Sequence, residues 1–511
     1  MSKNRIHNIA NVLLIIGGVF LSVILTMESV HFPLSERMDY SDNAIYHYIG
    51  YLITIGKMPY IDAFDHKGPL LYVLNALGHV INHQWGIWVI ECLSLFIIIC
   101  SIYITTSKFF NRILSVIITV FFVFDVSAHF WAGDTPDFFS IPLMCIALGI
   151  SLGLLTKRSL SNINMVVCGM CVAGIFWLKA NISGGLFVVY IFILSENLAY
   201  KRIRTAMKYV AFNILGFLVL TIPILIWLFA NHAVESMFEN YFVFSARYSA
   251  FHASLENQQN VFAWLLQCPI VIVCFCCIII YLFYLLLNKS MRIYDNTNAI
   301  MICGTLSFII SLGLCVYPGN VYLSYVYILY PGALMIVIST IQRCRKSPVF
   351  QNSIVIATCL VGALFFLFYN GRQIMQNFVV EWMEILEETE VKNYIVNNTT
   401  ASDLIAINSA SETGLFLATG RESASRNVYI QANYYNNNNS KDVNKEFWMK
   451  YIEELEINHP RIIVNDKIFY NERTLIPEYE MFLSSYIFVG ETERFSVYMD
   501  PYGEKELLPF S

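Results

Sequence analysis

The chain has 511 residues, of which 57% are hydrophobic and 14% charged, and its mean hydropathy is +0.57. This composition excludes an ordinary soluble domain, because soluble folds carry more charge and fewer apolar residues. The formal net charge of −5 offers no basic surface and argues against nucleic acid as a partner.

The apolar residues form blocks long enough to cross the hydrocarbon core of a bilayer as helices, which takes about 18–25 residues. We predict eleven membrane-spanning helices, at about 8–28, 85–106, 109–128, 137–155, 162–178, 181–200, 207–230, 260–287, 297–316, 321–341 and 351–370. The first block has the basic start of a signal peptide, but its apolar part is long and lacks a cleavage site. We therefore expect it to be retained as the first span.

Lysine and arginine fall almost entirely on alternate connections between these spans. The basic connections lie at 3–5, 108–112, 157–158, 201–208, 289–292 and 343–346. Because basic loops remain in the cytoplasm, the pattern predicts a multi-pass protein with a cytoplasmic N-terminus. After eleven crossings the C-terminal part would lie outside.

The first outer loop, residues 29–84, carries an unusual concentration of charge. It contains Asp39, Asp42, Lys57, Asp62, Asp65, His66 and Lys67. Ionisable groups held next to a bilayer are costly, so such a cluster indicates a functional site.

Two short helices are predicted within this loop. Residues 43–55 repeat apolar side chains at helical spacing, with Ser41 or Asp42 as N-cap and Gly56 as the stop. Residues 70–81 form a second amphipathic pattern, which we expect to lie in the membrane interface.

Later outer loops add three further charged candidates. Asp134 and Asp137 lie at the mouth of the fourth span, and Lys179 lies at the outer end of a tight helical hairpin. Their position at the outer membrane face matches that of the first loop.

From about Gly371 the composition becomes polar, and a run of asparagines at 436–439 indicates a solvated loop. The patterns predict helices at 381–396 and 445–455, buried strands at 404–407 and 461–464, and a hairpin at 488–499. We predict a transmembrane domain at 1–370 and a small extracytoplasmic α/β domain at 371–511. The second domain shows no catalytic motif.

The charged side chains suit one type of chemistry. A carboxylate can act as a general base for an attacking hydroxyl, with an effect on the rate of about 10²–10⁴. Lysines near the bilayer can hold a lipid phosphate, and two acids can hold a divalent cation. Together they suggest transfer of a group from a lipid phosphate to a hydroxyl.

A long motif in the first loop supports this interpretation. It runs through Asp42, Tyr46, Gly56, Pro59, Tyr60, Asp62, Phe64-Asp65-His66-Lys67-Gly68-Pro69 and Asn75-Ala76-Leu77-Gly78. This pattern resembles the first outer loop of bacterial GT-C glycosyltransferases, which include the protein O-mannosyltransferases and the lipid A aminoarabinose transferases. The stretch from Gly133 to Phe138 is similar to their second acidic motif, with Asp134 in place of the usual Asn and Asp137 in place of Glu.

The resemblance implies a hexosyl- or pentosyltransferase in the bacterial cytoplasmic membrane. The sugar would pass directly, with inversion, from a polyprenyl-phosphate donor to a glycan, lipid or protein acceptor of the cell envelope. By the same resemblance Asp42 is the general base and Asp137 a second catalytic acid. Lys67, Lys179 and His66 would contact the donor phosphate.

The resemblance also makes Asp65 and Asp62 candidate ligands of a divalent metal ion, and the sequence leaves open whether one is needed. Two positions differ from the family pattern. Ala180 follows Lys179 where relatives often have proline, and Ser324 stands where many have a histidine that could bind metal.

Structural roles are the alternative for each of these side chains. Asp42, Asp62, Asp134 and Asp137 could cap helices or turns, Lys67 and Lys179 could anchor the chain at the interface, and His66 could form only a loop hydrogen bond.

Other functions are also open at this stage. A transporter or flippase of lipid-linked saccharide would place ionisable groups within the spans and show internal repeats. A surface-glycan polymerase or ligase would place its key Arg and His residues in large later loops. A purely structural membrane protein would leave the motif at 65–69 unexplained.

Overall fold

The structure is a computed structural model and describes residues 3–35, 41–130, 133–156, 161–287, 295–345, 368–372, 374, 385–409, 412–430, 441–467 and 476–501. Most of the predicted span at 351–370 and all of the asparagine run at 436–439 lie outside these residues. Asp39 also lies outside them.

The helices of the N-terminal two thirds are α1 Lys3–Leu25, α2 Ser41–Thr54, α3 Pro69–Ile81, α4 Gly86–Ser107, α5 Arg112–Ala128, α6 Pro136–Leu155, α7 Asn162–Leu178, α8 Gly184–Ala199, α9 Ile203–Ala230, α10 Val234–Met237, α11 Ser245–His252, α12 Leu255–Leu265, α13 Pro269–Leu287, α14 Asn296–Val316 and α15 Tyr330–Cys344. Short 3₁₀ segments, Ala180–Ser183 and Leu323–Leu329, precede α8 and α15, and a π-helical turn, Phe238–Phe244, precedes α11. The later elements are β1 Leu404–Asn408, β2 Glu422–Ser423, β3 Ile462–Asp466, β4 Ile487–Glu491, β5 Phe495–Met499, α16 Ile385–Asn398, α17 Gly414–Thr419, α18 Lys441–Asn458 and α19 Pro477–Leu483.

Within the described residues, seven helices are long and apolar enough to cross a membrane, so the protein is an integral membrane protein. They are Gly86–Ser107, Pro136–Leu155, Ala180–Ala199, Ile203–Ala230, Pro269–Leu286, Asn296–Val316 and Leu323–Cys344. Three shorter apolar helices are Asn11–Leu25, Pro69–Ile81 and Asn162–Leu178. The predicted total of eleven spans stays a prediction.

One predicted span differs from the structure. The apolar run at 260–287 is divided between α12, which ends at Leu265, and α13, which begins at Pro269. Proline lacks a backbone N–H and fits the first turn of a helix, so Pro269 starts a new helix instead of continuing the old one.

The chain forms two compact units. The first unit comprises Met1–Ser29, Trp88–Trp227 and His252–Val379, and the second comprises Val30–Ile87, Leu228–Phe251 and Val380–Ser511. The first outer loop and the C-terminal residues thus belong to one unit. The predicted domain boundary at residue 370 stays a prediction.

Glycines allow close packing of α14 and α15 in the first unit. A Cβ atom added to Gly332 would lie 2.6 Å from the backbone nitrogen of Phe308, and one added to Gly304 would lie 2.7 Å from the Cβ atom of Met335. Small residues at such crossings let two helix backbones approach, which strengthens packing inside a membrane.

In the second unit, α2 and α3 confirm the two helices predicted in the first outer loop. Gly56 follows α2 with a φ of +87°, a left-handed conformation that glycine adopts without strain. Pro69 occupies the first turn of α3, where its missing N–H is not needed. Asp42 lies in the first turn of α2.

The C-terminal part of the second unit contains a mixed five-stranded sheet with the order β2-β1-β3-β5-β4. Strand β1 pairs in parallel with β2 and β3, whereas β5 is antiparallel to β3 and β4. Strand β3 is buried along its length, and Trp448, Tyr451 and Leu455 of α18 belong to the apolar core of this part. The predicted strands and terminal hairpin are confirmed.

Candidate active site

The link between α2 and α3 is a tight turn with a strained residue. Tyr60 has a φ of +70°, which is unfavourable for a bulky side chain and is tolerated only where the surroundings enforce it. Its side chain is fully buried, and its hydroxyl donates to the carbonyl oxygen of Lys67 at 2.8 Å. Packing and this hydrogen bond therefore hold the turn in place.

The side chain of Asp62 forms a hydrogen bond within this turn. Its carboxylate accepts a hydrogen bond from the backbone N–H of Met58 at 2.6 Å, and its own N–H donates to the carbonyl oxygen of Met58 at 2.9 Å. These contacts match the structural alternative for Asp62, since an aspartate side chain commonly closes a turn in this way.

A second tyrosine fixes the backbone of Lys67 from the other side. The N–H of Lys67 donates to the hydroxyl oxygen of Tyr72 at 3.1 Å, and the Tyr72 hydroxyl donates to Oδ2 of Asp65 at 2.7 Å. Because the Tyr60 hydroxyl donates to the carbonyl oxygen of Lys67, hydrogen bonds fix both the N–H and the C=O group of this residue. The run Asp65-His66-Lys67 is thereby preorganised.

Asp65 is buried and fully engaged. Its Oδ1 accepts a hydrogen bond from the Tyr429 hydroxyl at 3.1 Å and lies 3.3 Å from Nδ1 of His66. Burial alone would raise the pKa of Asp65, but the Lys67 ammonium, His66 and the Tyr72 hydroxyl together lower it well below its usual range. Such a weak base suits an anchor rather than a proton acceptor.

His66 connects Asp65 to Lys67. Its Nε2 lies 3.0 Å from Nζ of Lys67, and burial followed by the Lys67 charge lowers the pKa of His66. An ammonium can only donate, so Nε2 accepts and Nδ1 carries the proton that faces Asp65. The imidazole also packs against the rings of Phe244 and Tyr248.

Lys67 and Asp42 present opposite charges side by side. Nζ of Lys67 lies 4.0 Å from Oδ2 of Asp42, and the side chain of Asp42 is 55% exposed whereas that of Lys67 is 11% exposed. The Tyr46 hydroxyl donates to the same Asp42 oxygen at 3.0 Å. Asp42 is therefore an oriented carboxylate that a second molecule can reach.

The segment at 412–430 completes this cluster within the second unit. The N–H of Phe64 donates to the carbonyl oxygen of Arg426 at 2.7 Å, and Lys57 forms an ion pair with Glu422. Tyr429 supplies the hydroxyl bound to Asp65. Sequence reasoning assigned no functional residue to this region, because a lone tyrosine in a polar segment gives no recognisable signal.

In the first unit, Asp137 and Lys179 form a closed ion pair. Nζ of Lys179 lies 3.1 Å from Oδ1 and 2.9 Å from Oδ2 of Asp137, and it also lies 4.2 Å from the ring centre of Tyr325. Asp137 is in the first turn of α6, which Thr135 caps through its side chain. The pair is nearly buried, with exposed fractions of 4% for Asp137 and 15% for Lys179.

Asp134 has a different partner. Its backbone N–H donates to Oε1 of Glu91 at 2.7 Å, and the preceding Gly133 has a φ of +86°. A Cβ atom on Gly133 would overlap the Glu91 carboxylate, so this turn requires glycine. Sequence reasoning gave Glu91 no role, although a buried acid near a span end is a signal.

The residues around Asp62 and Asp65 do not fit a metal ion. Both oxygens of Asp65 are engaged by hydroxyl groups and His66, and the Lys67 ammonium lies close by. Across the ranges that the structure covers, no group of three or more His, Cys, Asp or Glu side chains is arranged to hold a metal. We therefore derive no step through a metal.

The fold is similar to two membrane enzymes of known structure. One is ArnT from Cupriavidus metallidurans bound to undecaprenyl phosphate, with a TM-score of 0.60, 13% identity and coverage of 96% of this chain and 97% of that chain. The other is the oligosaccharyltransferase AglB from Archaeoglobus fulgidus in complex with an inhibitory peptide and a dolichol-phosphate, with a TM-score of 0.51, 11% identity and coverage of 96% and 75%. No curated protein sequence matches the chain.

These similarities show that the chain has the GT-C fold of membrane glycosyltransferases, as the first-loop motif predicted. The model of the Competence-induced Ccs4 N-terminal domain family matches residues 3–384, and the chain belongs to that family.

Proposed function

We propose that the protein is a glycosyltransferase that moves a sugar from a polyprenyl-phosphate donor to a hydroxyl group of a cell-envelope acceptor, with inversion. The observation that carries this proposal is the exposed carboxylate of Asp42 at 4.0 Å from the ammonium of Lys67. The lipid phosphates named with ArnT and AglB support a donor of this class.

Asp42 would act as the general base. The acceptor oxygen attacks the anomeric carbon, its proton passes to Asp42, and the bond between that carbon and the phosphate oxygen breaks. The polyprenyl phosphate leaves with the bonding electron pair. Tyr46 holds Asp42 through one oxygen, which leaves the other oxygen for the acceptor hydroxyl.

Lys67 would neutralise the charge that grows on the phosphate as the bond breaks. A positive group is most effective when it is held in place before the reaction, and Tyr60 and Tyr72 hold the Lys67 backbone. His66 accepts from the ammonium and Asp65 supports His66, so we assign both as positioning residues for Lys67.

Asp137 and Lys179 would play a supporting part. Because Nζ of Lys179 contacts both oxygens of Asp137, neither charge is available to a substrate. This arrangement suits an ion pair that fixes the start of α6 rather than a general base. We retain Lys179 as a candidate second contact to the donor phosphate, reached when the ion pair opens.

We further propose an N-terminus in the cytoplasm, eleven spans and an outward-facing active site. Basic residues on alternate connections support this orientation. The α/β part at 371–511 would then lie outside the membrane, where residues 412–430 adjoin the first loop.

The proposal is tested by the transfer of labelled sugar from a polyprenyl-phosphate sugar pool in membranes that contain wild type or Asp42→Asn protein. The amide keeps the size of the side chain and an acceptor for Tyr46, but it cannot take a proton. We expect transfer to fall by about two to four orders of magnitude, the typical range for loss of a general base, with unchanged expression.

Glu239→Gln is the matched control, because Glu239 is also 55% exposed and belongs to the second unit. It should transfer like wild type. Equal transfer by Asp42→Asn would remove Asp42 as the base. If wild type transferred no sugar from any donor in the pool, the transporter interpretation would replace this one.

A further inference from the structure

A cavity of about 110 Å³ lies in the first unit, where α5 ends and α13 begins. Its lining includes His129, Trp264, Gln267, Tyr369 and Asn370. The volume accommodates several water molecules, since one water needs about 10–15 Å³ of such space. It therefore has room for one ring of a saccharide at a time.

A buried acid supports the polar wall of this cavity. Asp125 of α5 is 0% exposed, and its carboxylate accepts hydrogen bonds from the Tyr330 hydroxyl at 2.8 Å and from Nδ2 of Asn370 at 3.3 Å. Ionisable residues within membrane helices are costly and usually functional. Asp125 thus fixes the orientation of the Asn370 amide.

Asn370 then presents an acceptor that lacks a partner. Its Oδ1 is buried and has no hydrogen-bond partner in the part of the chain that the structure describes. Leaving such a group unpaired is unfavourable, and the usual explanation is a ligand or a water molecule. The amide oxygen therefore points to a hydrogen-bond donor in the cavity.

His129 supplies a second polar group. Its Nδ1 lies 2.8 Å from the backbone carbonyl oxygen of Asp125. A carbonyl only accepts, so Nδ1 donates and Nε2 is the ring nitrogen left for a ligand. Two acceptors among the lining residues suit a molecule with more than one hydroxyl group.

The remaining lining indicates a neutral ligand. Trp264 and Tyr369 are aromatic, Gln267 is an amide, and the lining residues within the described ranges include neither lysine nor arginine. A phosphate would find no positive partner among these described residues, and it would lie near the Asp125 carboxylate that binds Asn370. Aromatic faces combined with amides suit the apolar faces and hydroxyl edge of a sugar ring.

We propose that this cavity binds one neutral sugar ring, whose hydroxyl groups donate to Oδ1 of Asn370 and Nε2 of His129. The inference rests on the proposed function in one respect: the sugar ring would belong to the donor or to the acceptor of the transfer reaction. It assigns sugar recognition to first-unit residues that the proposed chemistry does not use.

The test measures binding to the full-length protein in nanodiscs and does not require turnover. The probes are a polyprenyl-phosphate hexose, the same polyprenyl phosphate without sugar, and free cellobiose. The variant is Asn370→Leu, which removes the unpaired acceptor at nearly constant volume. Its control is Asn197→Leu, the same change at another buried asparagine of the first unit that does not line the cavity.

If the cavity holds the donor sugar, Asn370→Leu should bind the polyprenyl-phosphate hexose about tenfold more weakly and the bare lipid phosphate as wild type does. If it holds the acceptor, cellobiose alone should bind about tenfold more weakly. A tenfold change is within the range for one or two lost hydrogen bonds. Both results support sugar binding in this cavity. The Asn197→Leu control should bind all three probes as wild type does.

Unchanged affinity of Asn370→Leu for all three probes would overturn the proposal. Should this variant fail to fold, Gln267→Trp replaces it, because Gln267 is an exposed lining residue whose enlargement fills the cavity. Wild type protein that binds cellobiose but no lipid phosphate would contradict the proposed donor while leaving the sugar cavity in place.

Discussion

The two compact units use charged side chains in different ways. In the second unit, Asp42 is 55% exposed beside the Lys67 ammonium, and hydroxyl groups and His66 hold the charges around it. In the first unit, Asp137 and Lys179 satisfy each other through two contacts, and Asp137 is 4% exposed. The charges in the second unit can therefore be reached by a substrate, whereas those of the Asp137–Lys179 pair are occupied by each other.

Acidic residues in sequence motifs of similar appearance can therefore have different roles. A base must reach the proton it takes, so exposure and a fixed orientation matter more than proximity to the membrane. A closed ion pair instead contributes to stability as long as both partners are present, because removal of either one leaves a buried, unpaired charge.

Among the changes that compare the two units, the largest effect is expected for Lys67→Met. The substitution removes the charge that would neutralise the donor phosphate, and loss of one preorganised stabilising group costs about 10²–10³ in rate. Transfer kinetics with a polyprenyl-phosphate sugar measure this change. Lys57→Met is the matched control, because Lys57 lies in the same loop as Lys67 but is paired with Glu422 of β2. This variant should lose much less activity.

An intermediate effect is expected for the first-unit pair. Lys179→Met leaves the Asp137 carboxylate buried without its partner, which should lower the free energy of unfolding by about 3–5 kcal/mol. The double variant Asp137→Leu/Lys179→Met should regain most of that loss, as measured by denaturation in mixed micelles. A double variant as unstable as the single one would show that the pair is not the stabilising unit.

The smallest effect is a pH dependence that originates in Asp65. Its pKa is lowered in the folded protein, so its stabilisation is complete above the ordinary aspartate pKa of about 4 and is lost as the pH falls below that value. The difference in thermal midpoint between wild type and Asp65→Asn should therefore shrink from pH 6 to pH 3. A constant difference would contradict the lowered pKa.

Local patterns made much of the second unit predictable. Helical spacing marked α2 and α3, Gly56 marked the end of α2, and short apolar runs marked the buried strands β1 and β3. These signals depend on neighbouring residues, which fix backbone conformation.

Contacts between distant residues were not predictable in the same way. Tyr429 reaches Asp65 across 364 positions, and Lys179 reaches Asp137 across 42. No local pattern encodes such pairs, because they depend on how elements pack. The division at Pro269 was missed for another reason: apolar composition continues through it, and one proline outweighs the hydropathy signal.

The central claim is that Asp42 performs proton transfer while Lys67 holds the donor phosphate. The most direct measurement is the affinity of Asp42→Asn and Lys67→Met proteins for a polyprenyl phosphate in nanodiscs, set beside their transfer rates. We predict that Asp42→Asn binds the lipid phosphate at least as tightly as wild type but transfers sugar at least about a hundredfold more slowly. Lys67→Met should bind the lipid phosphate more weakly than wild type. Loss of lipid-phosphate binding in Asp42→Asn, or unchanged binding in Lys67→Met, would contradict it.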